Sequence, residues 1–471
     1  MGQLAAANSQ DAAKRMIAHL RVWLTDSSVE AETQRAAVIG ILARCVNAGL
    51  ALVTQIIFAR FMGVGGYGVY ALVSTWLLVL AHLATCGLSL MPQRFWPDYE
   101  AKQDMARLKG LYRFAGVAPL ATGCVLMAVA AALFNGSQVL QLSFGASANA
   151  AHIPLMIGLV ALPALAMIDV LEGIALAKGW NMLGYGLSFV IRPLLFLVLA
   201  IIGLVNAGDQ SLAVIMLAFS GTAWIAALLL AISLRQKLKA SSLKDGRSTT
   251  PVYEFQNWLR LAGATLLADG AFMSMSYADI LILGATTSGA DIGIYAAATK
   301  LISVVAFVQF GLAWAAAHHL SRFNATGNNA ALGVYMRKTA GWTFWPSLII
   351  AGFVMLLAAP LLELFGRDFA TGAPLVMLLL AGLVVRALIG PSEQLLMMTN
   401  AQNSCLAIYA AAAGVNIVLS LALAPRLGAQ GVAFATMIAT IFCAALTAIT
   451  VRRHLGVWPL PALPFQKAKT P

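Results

Sequence analysis

Ten charged residues within apolar runs stand out, because charge is expensive there. Arg44 and Arg60 fall in 36–61, Asp169 and Glu172 in 153–177, and Arg192 in 183–205. Asp269 and Asp279 fall in 258–283, Lys300 in 292–320, and Arg386 and Glu393 in 373–399. A charge at bilayer depth costs from about 3 kcal/mol upward unless it meets a partner or a water-filled space. Two kinds of chemistry suit such a set. Arg44, Arg192, Lys300 and Arg386 are expected to bind an anionic group, and the planar guanidinium fork suits phosphate in particular. Asp169, Glu172, Asp269, Asp279 and Glu393 are expected to balance those cations or to carry a coupling proton. The competing reading is internal pairing, for example of Asp279 with Lys300 or Arg60. Asn47, Gln55, Gln309, Gln394 and Asn416 add polar groups to the same runs, as a wet interior or as hydrogen bonds between helices.

Other patterns carry less. Gly63-x-Gly65-x-x-Gly68 matches a dinucleotide fingerprint in spacing only. It follows a span-length apolar run, and no acidic residue sits about 20 positions on. A tight turn between two spans accounts for it. A phosphate loop of the Gly-Lys-Ser/Thr kind is absent, which argues against ATP hydrolysis. His318 and His319 lack metal-ligand spacing and a carboxylate partner. Cys45, Cys86, Cys124, Cys405 and Cys443 are scattered and read as packing residues. No metal or cofactor is expected.

The elements that position these residues follow from composition. Of 471 residues, 61% are hydrophobic and 10% charged, against about a quarter charged in soluble domains. Such a chain has no polar skin, so lipid must cover it. About 20 apolar residues make one crossing. The remaining apolar runs are 67–91, 111–134, 212–234, 339–364, 406–423 and 432–451, so the expected fold is all-α and polytopic, with about twelve transmembrane helices. No cleavable leader is expected at the N-terminus. There Met16, Ile17, Leu20, Trp23 and Leu24 share a helical face beside Lys14, Arg15 and Arg21, the pattern of an interfacial helix.

The net charge of +12 does not point to nucleic acid. The basic residues collect in alternate connections: Lys14 to Arg35, Arg94 to Arg113, Lys178, Arg235 to Arg260, Arg322 to Lys338, and Arg452 to Lys469. Only Arg367 and Arg426 lie on the other side. By the positive-inside rule both termini are cytoplasmic. The expected organisation is a cytoplasmic segment 1–35, a six-helix lobe 36–234, a cytoplasmic linker 235–257, a second six-helix lobe 258–451 and a cytoplasmic tail 452–471. Gly68-Val-Tyr70-Ala in the first lobe returns as Gly293-Ile-Tyr295-Ala in the second. With six spans in each, the lobes would be parallel repeats around a central cavity.

Several stretches resemble the polysaccharide biosynthesis export family, also called Wzx-type oligosaccharide flippases. They are Phe58-Ala-Arg60-Phe-Met-Gly63 leading to Tyr67-Gly-Val-Tyr70, and Gly87-Leu88 through Arg94 to Pro97 with its basic continuation to Arg113. Arg192-Pro193, Asp279 to Gly284, Gly293 to Lys300, Asn416 and Pro425 to Gly431 are similar in kind and in order. The resemblance implies a member of the multidrug/oligosaccharidyl-lipid/polysaccharide exporter superfamily. Such a member is a flippase rather than an enzyme. It moves an undecaprenyl-diphosphate-linked oligosaccharide across the bacterial inner membrane for exopolysaccharide, O-antigen or capsule. It implies Arg44, Arg60, Arg192 and Lys300 as residues that meet the diphosphate, and polymerase and chain-length or export proteins as partners. Two other readings stay open. A cation-coupled multidrug exporter would want an acidic cavity. A membrane-embedded polymerase or ligase would want a long outer loop, and the longest here is about Asn135–His152.

Overall fold

The computed structural model describes residues 29–136, 138–208, 211–240, 250–325, 329–398 and 401–461. The interfacial face at Met16 to Leu24, with Lys14, Arg15 and Arg21, lies outside them, as do Lys244, Arg247, Lys467 and Lys469. Among the described residues every regular element is helical: α1 Val29–Thr85, α2 Met91–Ala101, α3 Met105–Phe134, α4 Gln138–Phe144, α5 Ala148–Leu159, α6 Leu162–Ala177, α7 Asn181–Gly186, α8 Arg192–Ala207, α9 Ser211–Ala240, α10 Phe255–Thr286, α11 Gly289–Ala325, α12 Asn329–Leu356, α13 Ala358–Glu363, α14 Ala373–Ala387, α15 Ser392–Met398 and α16 Gln402–Leu455. Large apolar side chains point outward along these helices, with Leu267 71% and Leu356 80% exposed. Water would penalise that surface and hydrocarbon would not.

Among the described residues, ten helices are long and apolar enough to cross a membrane. About twelve crossings are expected from the sequence, and two of the ten helices are too long for a single crossing. The apolar parts of α1 and α16 run 48 and 52 residues, about 70–80 Å if straight, against a core of about 30 Å. Neither is straight. Gly63 (φ 68°) interrupts α1. Across that break Tyr67 Oη donates to Gln55 Oε1 at 2.9 Å, and Phe58 meets Tyr70 edge-on at 5.2 Å. Residues twelve to fifteen apart in a straight helix would stand about 20 Å apart, so the chain doubles back. Gly428 (φ 55°) does the same in α16, where Thr436 reaches Asn416. The left-handed φ at both points explains the glycines.

Other boundaries also move. The second pass ends at Thr85 rather than near residue 91, because Cys86 (φ 48°) and Gly87 (φ 70°) turn the chain into α2. The stretch 135–152, expected as a loop, holds α4 and the start of α5. The fourth run is longer than expected and breaks at Val160–Ala161, between α5 and α6.

The repeated Gly-x-Tyr-Ala signature is where the halves cross. A Cβ on Gly68 would lie 1.8 Å from the Gly289 carbonyl oxygen, and one on Gly293 would lie 2.2 Å from that of Val64. Only glycine permits backbones this close. Arg60 Nε donates to the Leu364 carbonyl at 2.7 Å at the same end of the molecule. Tyr67 meets Phe365 and Phe369 there. The opposite end, where α2 and the starts of α3 and α10 carry Arg94, Arg107, Lys109, Arg113 and Arg260, is also joined. Gly87 abuts the Ala262 carbonyl, at 2.1 Å for a Cβ.

Candidate functional site

Arg192 is placed by an irregularity in its own helix. A π-turn spans Leu187–Ile191, and the Arg192 N–H reaches back to the Leu187 carbonyl. Pro193 follows, has no N–H, and would clash with a carbonyl one turn earlier. The widened turn absorbs that conflict, and such π-turns concentrate at functional sites. The Arg192 guanidinium lies over the Phe219 ring at 5.6 Å. Arg44, on the first pass of α1, lies over Tyr185 at 5.1 Å and Phe189 at 5.5 Å. Aromatic faces stabilise guanidinium without consuming its N–H donors.

Asp169 and Glu172 are three residues apart on α6, hence on one face. Glu172 lies within electrostatic reach of Asp169, Arg44 and Arg192. Asp169 lies within reach of Arg192, His82 and Asp269, the last on α10 of the second half. All six side chains are half-buried. The structure therefore assembles Arg44, Arg192, Asp169, Glu172 and Asp269 where the halves face each other. Yet among the described residues neither Arg44 nor Arg192 has a carboxylate oxygen within 4.0 Å.

The second half handles its charges differently. Arg386 makes a two-pronged pair with Glu393, Nε to Oε1 at 2.9 Å and Nη2 to Oε2 at 2.7 Å, and Tyr409 also donates to Glu393. The Arg386 donors are largely consumed, so this residue joins its own counter-ion rather than the Arg44–Arg192 group. Asp279 pairs with neither Lys300 nor Arg60. It is 6% exposed and accepts from Tyr295 Oη at 2.6 Å, Asn416 Nδ2 at 2.7 Å and Thr436 Oγ1 at 2.8 Å. Three neutral donors satisfy a carboxylate at low dielectric without a cation. Lys300 is half-buried, with no carboxylate within 4.0 Å among the described residues. Arg60 is exposed at the far end. Among the described residues no cluster of His, Cys, Asp and Glu could hold a metal ion.

At the basic end the chain entering the second half is docked on the first. Glu254 Oε2 accepts from Tyr99 Oη at 2.8 Å, and its Oε1 pairs with Arg107 Nε at 2.6 Å. Trp258 Nε1 donates to Tyr99 Oη at 3.1 Å, and the Val252 N–H to the Ala106 carbonyl at 3.0 Å. The hydrogen bond from Tyr99, then that from Asn257, holds the Glu254 carboxyl below its ordinary range. Burial pushes the Tyr99 phenol up to about 12.

Sequence reading missed His82 and the aromatic platforms. His82 sits near the end of an apolar pass and carries no fixed charge to draw notice. Tyr185, Phe189 and Phe219 read as ordinary apolar packing.

A family model for the polysaccharide biosynthesis protein family matches residues 35–318, more than half of the chain. The chain belongs to the polysaccharide biosynthesis protein family. No curated protein sequence matches it. Among solved structures, this family member is similar to the lipid II flippase MurJ in an inward closed conformation, with TM-score 0.68 and 15% identity over 88% of this chain and 87% of that one. It is also similar to an inward-facing multidrug resistance MATE family transporter of the MOP superfamily, with TM-score 0.66 and 16% identity over 93% and 98%. A Pyrococcus furiosus MOP superfamily transporter described by the reversed polarity of its binding pocket gives TM-score 0.58 and 15% identity over 90% and 96%. These likenesses establish the fold, a multi-pass helical membrane fold shared with those two proteins.

Proposed function

We propose that this polysaccharide biosynthesis family member is a flippase for an undecaprenyl-diphosphate-linked oligosaccharide repeat unit, working across the bacterial inner membrane by alternating access. The carrying observation is the state of Arg44 and Arg192: gathered, half-buried and held on aromatic faces, with no carboxylate closed upon them. A diphosphate would supply the missing acceptors, since guanidinium forks pair with phosphate oxygens. The sugar–diphosphate head cannot shed its hydration into hydrocarbon. A polar path between two six-helix lobes removes that barrier while the lipid tail stays in the bilayer. The basic end faces the cytoplasm, with both termini there. Lys300 and Arg60 extend the cationic set along the path and toward the outer end. Asp279 is the charge-balance or coupling carboxylate of the second lobe. The product feeds polymerase and chain-length or export proteins that build exopolysaccharide, O-antigen or capsule.

The test is the lipid pool of a strain lacking the protein. The account expects lipid-linked repeat units to accumulate on the cytoplasmic face with sugar transferase activity intact. One observation favours a second reading, a cation-coupled multidrug exporter: Asp169, Glu172 and Asp269 gather at the same level as the arginines. That reading expects drug hypersensitivity in the same strain and a normal lipid pool.

A further inference from the structure

The short helix α7 packs against both α1 and α6. It meets α1 at a notch. A Cβ on Gly40 would lie 3.2 Å from Tyr185 Cε2 and 3.6 Å from Arg44 Nη1. Arg44 therefore folds back one turn along its own helix, as long helical side chains do. Its head fills the place where Gly40 has no side chain. The Tyr185 ring lies against that head at 5.1 Å, and the Phe189 ring, 5.9 Å from Tyr185, lies against it at 5.5 Å. Against α6, a Cβ on Gly184, the neighbour of Tyr185, would lie 3.5 Å from Glu172 Cγ and 2.9 Å from Leu176 Cδ2. Arg44 and Glu172 thus approach α7 from different sides. Among the described residues they do not close to within 4.0 Å. Arg386 and Glu393, the same two residue types, do close into a two-pronged pair.

We propose that Tyr185 is a positioning residue: its ring, with Phe189 beside it, keeps the Arg44 guanidinium off Glu172 and leaves the fork free for an anionic group. A half-buried guanidinium and carboxylate attract strongly, because water screens them less than it does at a surface. Left to themselves they would close as Arg386 and Glu393 do, and a closed fork has few donors to offer. The Tyr185 ring gives the guanidinium a competing face that consumes no N–H, and it stands in the way to Glu172. Gly40 belongs to the same device, since a side chain there would claim the space of the guanidinium head. The phenol hydroxyl has no part in it, so phenylalanine would serve equally. The inference rests on the flippase reading only for what the fork receives, the diphosphate. The spacing is a property of the protein alone.

The test is the reactivity of Arg44 without substrate. The full chain in phosphatidylethanolamine–phosphatidylglycerol nanodiscs is treated with phenylglyoxal, which attacks unpaired guanidinium groups, and the modification rate of Arg44 is read by peptide mass spectrometry. Tyr185→Leu is expected to slow Arg44 about tenfold, the worth of one new charge-assisted hydrogen bond. Tyr185→Phe is expected to react as the parent does. Adding Glu172→Gln to Tyr185→Leu is expected to restore the parental rate, because the competing carboxylate is gone. A ring that served packing alone would not be replaced by a change on α6. An unchanged or faster rate in Tyr185→Leu, or no recovery in the double variant, overturns the proposal. If Tyr185→Leu fails to fold, Phe189→Leu serves, with a slowing of at least about twofold expected and a parental rate overturning the proposal. Because no lipid-linked head is present, failure here is separate from failure of the flippase reading, which the lipid pool decides.

Discussion

The Arg192 guanidinium stands 5.6 Å from the centroid of the Phe219 ring and, among the described residues, closes on no carboxylate within 4.0 Å. In the second half of the chain Arg386 is locked to Glu393 by two hydrogen bonds. Two arginines at bilayer depth are thus treated in opposite ways. The difference separates a side chain that holds the bundle together from one left with donors to offer.

Arg192→Lys keeps the charge and loses the fork. If the fork pairs with phosphate, transport of the lipid-linked head should fall about 10- to 100-fold, the worth of one charge-assisted hydrogen bond at about 1.5–3 kcal/mol, while membrane insertion is unchanged. Flipping in proteoliposomes reads this. A Lys variant as active as the parent would leave the fork without a role.

Breaking the other pair should cost stability instead. Glu393→Gln strands Arg386 in a buried setting, at about 3 kcal/mol or more. The melting temperature of the detergent-solubilised protein should drop, and the double change Arg386→Met with Glu393→Met should recover much of the loss. A double variant no more stable than the single would contradict a purely structural pair.

Gly68→Ala places a methyl 1.8 Å from the Gly289 carbonyl, and backbone cannot yield there cheaply. The halves should separate at the Gly63 end. Thiol labelling at Tyr67→Cys, buried in the parent, should rise several-fold in the Gly68→Ala background. Labelling that stays at the parental level would show that the crossing tolerates a side chain.

The clamp at the basic end carries a pH signature. Glu254 is held below its ordinary range, chiefly by Tyr99, so its contribution is complete above about pH 4.3 and is lost as pH falls through the lower folded value. Protection of the 250–258 amides, relative to their intrinsic exchange rate at each pH, should therefore be high at neutral pH and fall below about pH 4. Glu254→Gln should show low protection at both. Equal protection at pH 7 in the two proteins would remove the carboxylate from the clamp.

Much of this was legible from residue type alone. Apolar run length and the alternation of basic connections follow from the cost of charge in hydrocarbon, and that cost is local to sequence. Gly68 and Gly293 announced themselves as a repeat, although only the fold shows that the two copies pack on each other. Tyr70 and Tyr295 occupy matched places and do different work: one accepts a hydrogen bond from Gln55 Nε2, the other donates to Asp279. Pairing was the illegible part. Asp279 found three neutral donors from distant passes, and Arg386 found Glu393 across a break at Gly390 (φ 53°). Sequence records which charges are buried; three-dimensional proximity decides which are already spoken for.

The most direct measurement is polymer export by the double variant Arg44→Gln with Arg192→Gln, quantified beside its level in the inner membrane. The account predicts full insertion, export near that of a strain lacking the protein, and lipid-linked repeat units held on the cytoplasmic face. Normal export by that variant would contradict the assignment of these two arginines as the site that takes the diphosphate.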